Sequence, residues 1–154
     1  MSAIERTATV AAPPDAVWAV LADFGAISGW VPMIEHSCLL SDRTDGVGAV
    51  RRVQIARQTL IERVTTWDEP RELAYDIEGL PSIVGTARST WRVTPVASGS
   101  TVVLTNEIDT GRSLVKILIA TRVLGRMAMA SEVMLAGLTG AVDPLAEQEQ
   151  EVAS

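Results

Sequence analysis

From Ile34 to Thr110 the chain alternates apolar and polar residues with a period of two, and a single apolar segment of helical period then runs from Ser113 to about Thr139. Turn clusters at Ser41 to Gly48, Asp68 to Arg71, Gly79 to Gly85 and Ala97 to Ser100 divide the alternating region into about six strands. An antiparallel meander of this kind has one apolar face that must be covered. The C-terminal segment is the one stretch large enough to cover it, so the chain is constrained to a sheet wrapped on one long helix.

The N-terminal part adds one strand and two short helices. Ile4 to Ala11 reads as a strand. Pro13-Pro14-Asp15 then opens a helix, since proline fits a first turn whose N–H groups have no intrahelical partner. Val17, Val20, Leu21 and Phe24 give that helix its apolar face, Asp23-Phe24-Gly25 ends it, and Ile27 to Trp30 forms one further short turn before Val31-Pro32 forces an extended exit. The predicted fold class is α+β: a seven-stranded, curved antiparallel sheet wrapped on a long C-terminal helix, with two short helices after strand one. At 154 residues one domain is expected, over 1–142. Asp143-Pro144 is expected to stop the helix and leave 143–154 as a polar, disordered tail.

Charge and cysteine usage exclude several functions. A net charge of -6 has the wrong sign for tracking a phosphate backbone, so nucleic acid is not an expected partner. Cys38 is the sole cysteine and His36 the sole histidine, which excludes an intramolecular disulfide and a multi-histidine metal site; neither metal nor cofactor is expected. The N-terminal residues lack the pattern of a secretory signal, and a reducing, cytoplasmic setting is expected. Leu114 to Leu138 is long enough to cross a bilayer but carries Lys116, Arg122, Arg126 and Glu132, each costly at membrane depth, so no transmembrane segment is expected.

Several short stretches resemble one family. They are Ala12-Pro13-Pro14-Asp15-Ala16-Val17-Trp18, Trp30-Val31-Pro32, Gly46-Val47-Gly48-Ala49-Val50-Arg51, Glu62-Arg63-Val64 and Leu73-Ala74-Tyr75. Over about residues 3 to 140 the chain resembles the polyketide cyclase/dehydrase and lipid-transport group of the START-like (SRPBCC, birch-pollen-allergen-like) helix-grip superfamily. The resemblance implies a cavity between sheet and C-terminal helix. It leaves the chemistry open, because the superfold hosts both carriers and cyclases.

The strand pattern selects the side chains that face that interior. A two-residue turn at Ala56-Arg57 pairs Ile55 with Gln58, Val53 with Leu60, Arg51 with Glu62 and Ala49 with Val64, and puts Arg51 and Glu62 on the more apolar face. Such a pair either fixes register or anchors a polar ligand group. A four-residue turn at Ala97 to Ser100 pairs Val93 with Leu104 and Trp91 with Asn106, making Trp91 core or cavity wall and giving Asn106 an inward amide that needs a partner. Tyr75 shares a face with Leu73 and Ile77 and carries the best-placed hydroxyl. His36 is read on one face of the second strand with Ile34, Cys38 and Leu40, at the margin of the site.

On the C-terminal helix, Ile117, Ala120, Thr121, Leu124, Ala128, Ser131, Leu135 and Leu138 are expected to face the sheet. The small residues among them either bring the helix closer or leave a void for a ligand. Val115, Leu118, Ile119, Val123, Met129 and Val133 fall outside among the charges, which points to a homodimer or to cover by the first helices or the tail. Glu78 to Gly85, with its apolar tip between glycines, reads as a lid at a pocket mouth or as a plain long hairpin.

The resulting expectation is binding, and with it transport, of a small hydrophobic molecule such as a polyketide, lipid or isoprenoid. Trp30, Trp91, Ile117, Leu124 and Leu135 supply wall, with Thr121 and Ala128 on the same helix face, while Arg51, Glu62, Tyr75 and Asn106 orient polar groups. The alternative is an enzyme, a polyketide cyclase, aromatase or dehydratase acting in the same cavity. No catalytic residue is assigned.

Overall fold

The structure, a computed structural model, describes residues 2–111 and 113–153, with the side chains of Ile83 and of 143–153 outside the described set. In chain order the elements are β1 (Ser2–Val10), α1 (Pro14–Ala22), a 3-10 helix (Phe24–Gly29), β2 (His36–Leu39), β3 (Val50–Ile55), β4 (Gln58–Asp68), β5 (Glu72–Glu78), a 3-10 turn (Ser82–Val84), β6 (Thr86–Val96), β7 (Gly99–Asp109) and α2 (Leu114–Ala153). The strands form one antiparallel sheet in the order β1-β7-β6-β5-β4-β3-β2, a meander of six strands with β1 paired beside β7.

Hydrophobic burial explains the assembly. α1 starts with Pro14 in its first turn and buries Val17, Trp18 and Leu21. Those side chains join Phe24, Leu73, Tyr75, Trp91, Leu104, Leu135, Leu138 and Val142 in the main core. Each fully buried large apolar side chain contributes about 1.5–3 kcal/mol of transfer free energy. Ile27, Val31, Ile34, Val53 and Leu60 form a second cluster, and Val84, Ala87, Ile108 and Ala120 a third at the β5–β6 connection.

The predicted β3–β4 register is the observed one, with Arg51 opposite Glu62 and Val53 opposite Leu60. The β6–β7 register differs from the expectation by two residues: Val96 pairs with Gly99, Trp91 with Leu104, and Ser89 with Asn106. The turn has two residues, Ala97 and Ser98, because Gly99 takes φ +139, which L side chains rarely adopt. A slip of two preserves the faces. Trp91 and Asn106 are therefore both buried as expected, but not as partners.

α2 also departs from expectation at its C-terminal end. It continues through Asp143-Pro144 to Ala153. Proline removes one backbone hydrogen bond, yet the run after it, Leu145-Ala146-Glu147-Gln148-Glu149-Gln150-Glu151, consists of good helix formers. We propose that 1–142 is the packed domain and 143–154 a polar tail outside it; truncation after Val142 is expected to leave folding unchanged.

No described helix is long and apolar enough to cross a membrane.

Candidate functional site

Strands β3 to β7 and the middle of α2 place a polar group of side chains inside an otherwise apolar core. Arg51, 2% exposed, and Glu62, 6% exposed, lie opposite one another on β3 and β4. Arg51 Nε donates to Glu62 Oε2 at 2.5 Å, and its Nη1 donates to the carbonyl of Phe24 at 3.0 Å. The guanidinium also lies 3.9 Å from the Phe24 ring centroid and 4.7 Å from that of Tyr75, so aromatic faces replace part of its lost hydration. Nη2 is buried and has no acceptor.

A chain of aromatic contacts continues from this pair. Tyr75 meets Phe24 edge to face, and its hydroxyl accepts a hydrogen bond from Trp91 Nε1 at 3.2 Å. Trp91 in turn meets Trp30 edge to face at 5.9 Å, and Trp30 Nε1 is a second buried donor without an acceptor; Trp18 Nε1, on α1 in the same core, is a third. Burial, with the Glu62 charge adding to it, pushes the Tyr75 hydroxyl up to about 12, so it remains a neutral phenol.

A second polar chain crosses from sheet to helix. Ser89 Oγ donates to Asn106 Oδ1, Asn106 Nδ2 donates to Ser131 Oγ at 2.6 Å, and Ser131 Oγ donates to the Met127 carbonyl at 2.7 Å. The amide of Asn106 is thereby satisfied by protein groups at both ends. Gly137 sets how closely α2 lies over Trp30: a Cβ there would stand 2.1 Å from the Trp30 carbonyl oxygen.

Of the residues predicted to line the site, Arg51, Glu62, Tyr75, Trp91, Asn106, Ala128 and Leu135 are buried, and Trp30 is half-buried against them. Leu124 is half-buried in the third cluster, toward the other end of the helix. Three expectations are corrected. Ile117, 45% exposed, and Thr121 point away from the sheet. Only four residues join β7 to α2, so the first turns project past the sheet, and sheet contact begins at Ala120. His36 is also exposed. The inward positions of β2 are Ser37 and Leu39; Ser37 Oγ donates to the Gly25 carbonyl at 2.7 Å, and Ile34, though buried, precedes the strand and does not carry its phase.

Phe24, Ser89 and Ser131 belong to the site but were not assigned to it. Ser89 is concealed by the two-residue register slip, after which it falls opposite Asn106. Ser131 is visible on the inner helix face but gives no sign of its partner, and no local pattern marks the Phe24 carbonyl as an acceptor.

A cavity of about 510 Å³ lies at the β5–β6 end of the sheet. Ile77, Leu80, Ala87 and Ile108 form its apolar part, and charged residues including Asp76 and Glu107 form its rim. Neither Arg51 nor Tyr75 lines it. Glu62 lies opposite Ile77 on the adjacent strand, so the polar interior begins one residue pair inward from the cavity wall.

A curved antiparallel sheet closed by a long C-terminal helix, with a polar layer buried between them, defines a helix-grip domain. The sequence matches the family described as polyketide cyclase / dehydrase and lipid transport over residues 1–148, and the chain belongs to that family. The Zhui aromatase/cyclase from Streptomyces sp. R1128 is 28% identical, with 98% of this chain and 95% of that chain covered and a TM-score of 0.69. Ara h 8.0201 shares the fold at 16% identity and a TM-score of 0.75, covering 92% of this chain and 97% of its own. The di-domain aromatase/cyclase StfQ of the steffimycin biosynthetic pathway shares it at 14% identity and a TM-score of 0.77, covering 94% of this chain and 51% of StfQ. No curated protein gives a significant match.

Proposed function

We propose that the protein binds a small, largely apolar molecule of the polyketide, lipid or isoprenoid class, and that an oxygen of this molecule accepts hydrogen bonds from Arg51 Nη2 and Trp30 Nε1. One observation carries the reading: both donors are buried in the aromatic layer with no acceptor. A buried donor without a partner costs about 1–3 kcal/mol, and a ligand oxygen removes that cost. The apolar cavity at Ile77, Leu80, Ala87 and Ile108 supplies the entry, and movement of the β5–β6 connection opens the way inward. We place this binding in a reducing, cytoplasmic setting.

A second reading, turnover as an aromatase/cyclase, is favoured by the 28% identity to an aromatase/cyclase over nearly the whole chain. In that case the Tyr75 phenol, neutral at physiological pH, acts as a hydrogen-bond donor to a developing enolate oxygen and not as a base.

The test is native mass spectrometry of protein purified from its host, with analysis of its organic extract. A stoichiometric apolar compound is expected, and Trp30→Phe, which keeps the ring and removes the donor, is expected to lose it while folding normally. Protein that carries nothing, or a compound held equally well by Trp30→Phe, contradicts the reading. Conversion of the bound compound by wild type but not by Tyr75→Phe would establish turnover.

A further inference from the structure

The first turns of α2 combine exposed apolar side chains with unbalanced positive charge. Leu114, Val115, Ile117 and Leu118 are 79%, 65%, 45% and 71% exposed. At 100° per residue these four spread over about 160° of the helix circumference, a broad apolar face at the end of the domain. The sequence between Asp109 and Glu132 contains four bases, Arg112, Lys116, Arg122 and Arg126, and no acid, within a chain of net charge -6. Lys116, Arg122 and Arg126 are exposed, and among the described residues none of the three forms an ion pair.

We infer that this segment docks on an anionic lipid bilayer, lying in the interface without crossing it. An exposed helix with aliphatic side chains on one side and Arg beside them has the composition of an interfacial helix. A second copy of the chain would bring the same basic surface against itself. An anionic bilayer accepts the aliphatic side chains and neutralises Arg122 and Arg126 together, since the same 100° spacing puts both on or beside the apolar face and their long stems let the guanidinium groups stay at headgroup level.

One turn further along α2, Ala120 packs on Val84, Ala87 and Ile108, and Leu80 joins the same cluster from the β5–β6 connection. The patch therefore lies within two turns of the cluster that Leu80 joins from the β5–β6 connection. The docking itself does not depend on the interior taking a ligand.

Co-sedimentation with vesicles tests this. Wild-type protein is expected to pellet with vesicles of phosphatidylcholine and phosphatidylglycerol in equal parts, only weakly with phosphatidylcholine alone, and less as salt is raised. Arg122→Gln and Arg126→Gln are each expected to weaken binding about fivefold, and Lys116→Gln, on the opposite side of the helix, to weaken it less. The double variant Leu114→Ser/Leu118→Ser is expected to weaken it more than about tenfold while keeping the wild-type circular dichroism and melting temperature, since both positions are exposed. Failure of wild-type protein to pellet with the anionic vesicles overturns the inference, as does pelleting that the leucine substitutions leave unchanged. A dimer that forms without vesicle binding and dissociates in the leucine variant assigns the patch to a second copy instead.

Discussion

In its C-terminal half α2 sets Leu135, Leu138 and Val142 against Trp18, Phe24, Tyr75 and Trp91, whereas in its N-terminal half the buried positions are Ala120 and Ala128, Val123, Leu124 and Met127 are only half-buried, and Leu114, Val115, Ile117, Leu118 and Met129 are exposed. The difference lies in which side of the helix carries the bulk. Where large side chains face the sheet, the interior is filled and the helix closes on Trp30 at Gly137. Where small ones face it, the packing beneath the helix thins to the small cluster around Val84, Ala87 and Ile108, and exposed aliphatic side chains are left for another surface.

This contrast is broken most severely at Arg51. Arg51→Ala leaves Glu62 buried without its counterion and is expected to cost about 3–5 kcal/mol, a fall in melting temperature on the order of 10 °C for a chain of this length. The double variant Arg51→Met/Glu62→Leu is expected to be at least as stable as wild type in urea unfolding, because both desolvation costs are removed. Next in size, Leu138→Ala opens a cavity at the closed end and is expected to lose about 2–5 kcal/mol, while Leu118→Ala at the open end stays within about 0.5 kcal/mol of wild type. Equal losses at the two positions would mean that the N-terminal turns are buried in solution. Gly137→Ala pushes α2 off the Trp30 backbone and is expected to cost about 1–3 kcal/mol.

The single tyrosine sharpens the comparison through pH. Its hydroxyl pKa is raised by burial in the fold from 10.0 to about 12. The unfolded chain therefore loses this proton first, so the stabilisation of the neutral phenol is complete below pH 10 and is lost as pH rises through about 12. Since Tyr75 is the sole tyrosine, its phenolate absorbance near 295 nm can be followed directly. The native protein is expected to show none until about pH 12, and phenolate appearing near pH 10 in folded protein would show that the closed end is wet.

Much of this architecture is written in local patterns. Alternation of period two placed Arg51, Glu62, Tyr75, Trp91 and Asn106 on the inner face, and a face survives even when register is misjudged by two residues, as it was for Trp91 and Asn106. Tertiary geometry is less legible. The partner of Asn106 depends on how many residues the β6–β7 turn uses, and the outward direction of His36 depends on where β2 begins, which Ser37 fixes by bonding to Gly25. Ile117 and Thr121 fit the helical stripe yet lie beyond the sheet, because periodicity specifies a face of the helix and not how far the sheet extends beneath it. The void expected under the middle of α2 is filled by Tyr75 and Trp91, and a cavity lies at the β5–β6 end instead.

Trp30 Nε1 is one of three buried donors without an acceptor among the described residues, and the indole region of a proton–nitrogen correlation spectrum reads directly whether it gains one. Four tryptophans, Trp18, Trp30, Trp67 and Trp91, give four assignable Nε1–H signals. Titration with a polyhydroxylated anthraquinone, a long-chain fatty acid and a short-chain isoprenoid quinone is expected to move the Trp30 signal downfield with at least one of them, as a new hydrogen bond forms, while Trp67 stays in place. Saturable binding of any of these compounds with the Trp30 signal unmoved, or no binding of any, would contradict the proposed binding.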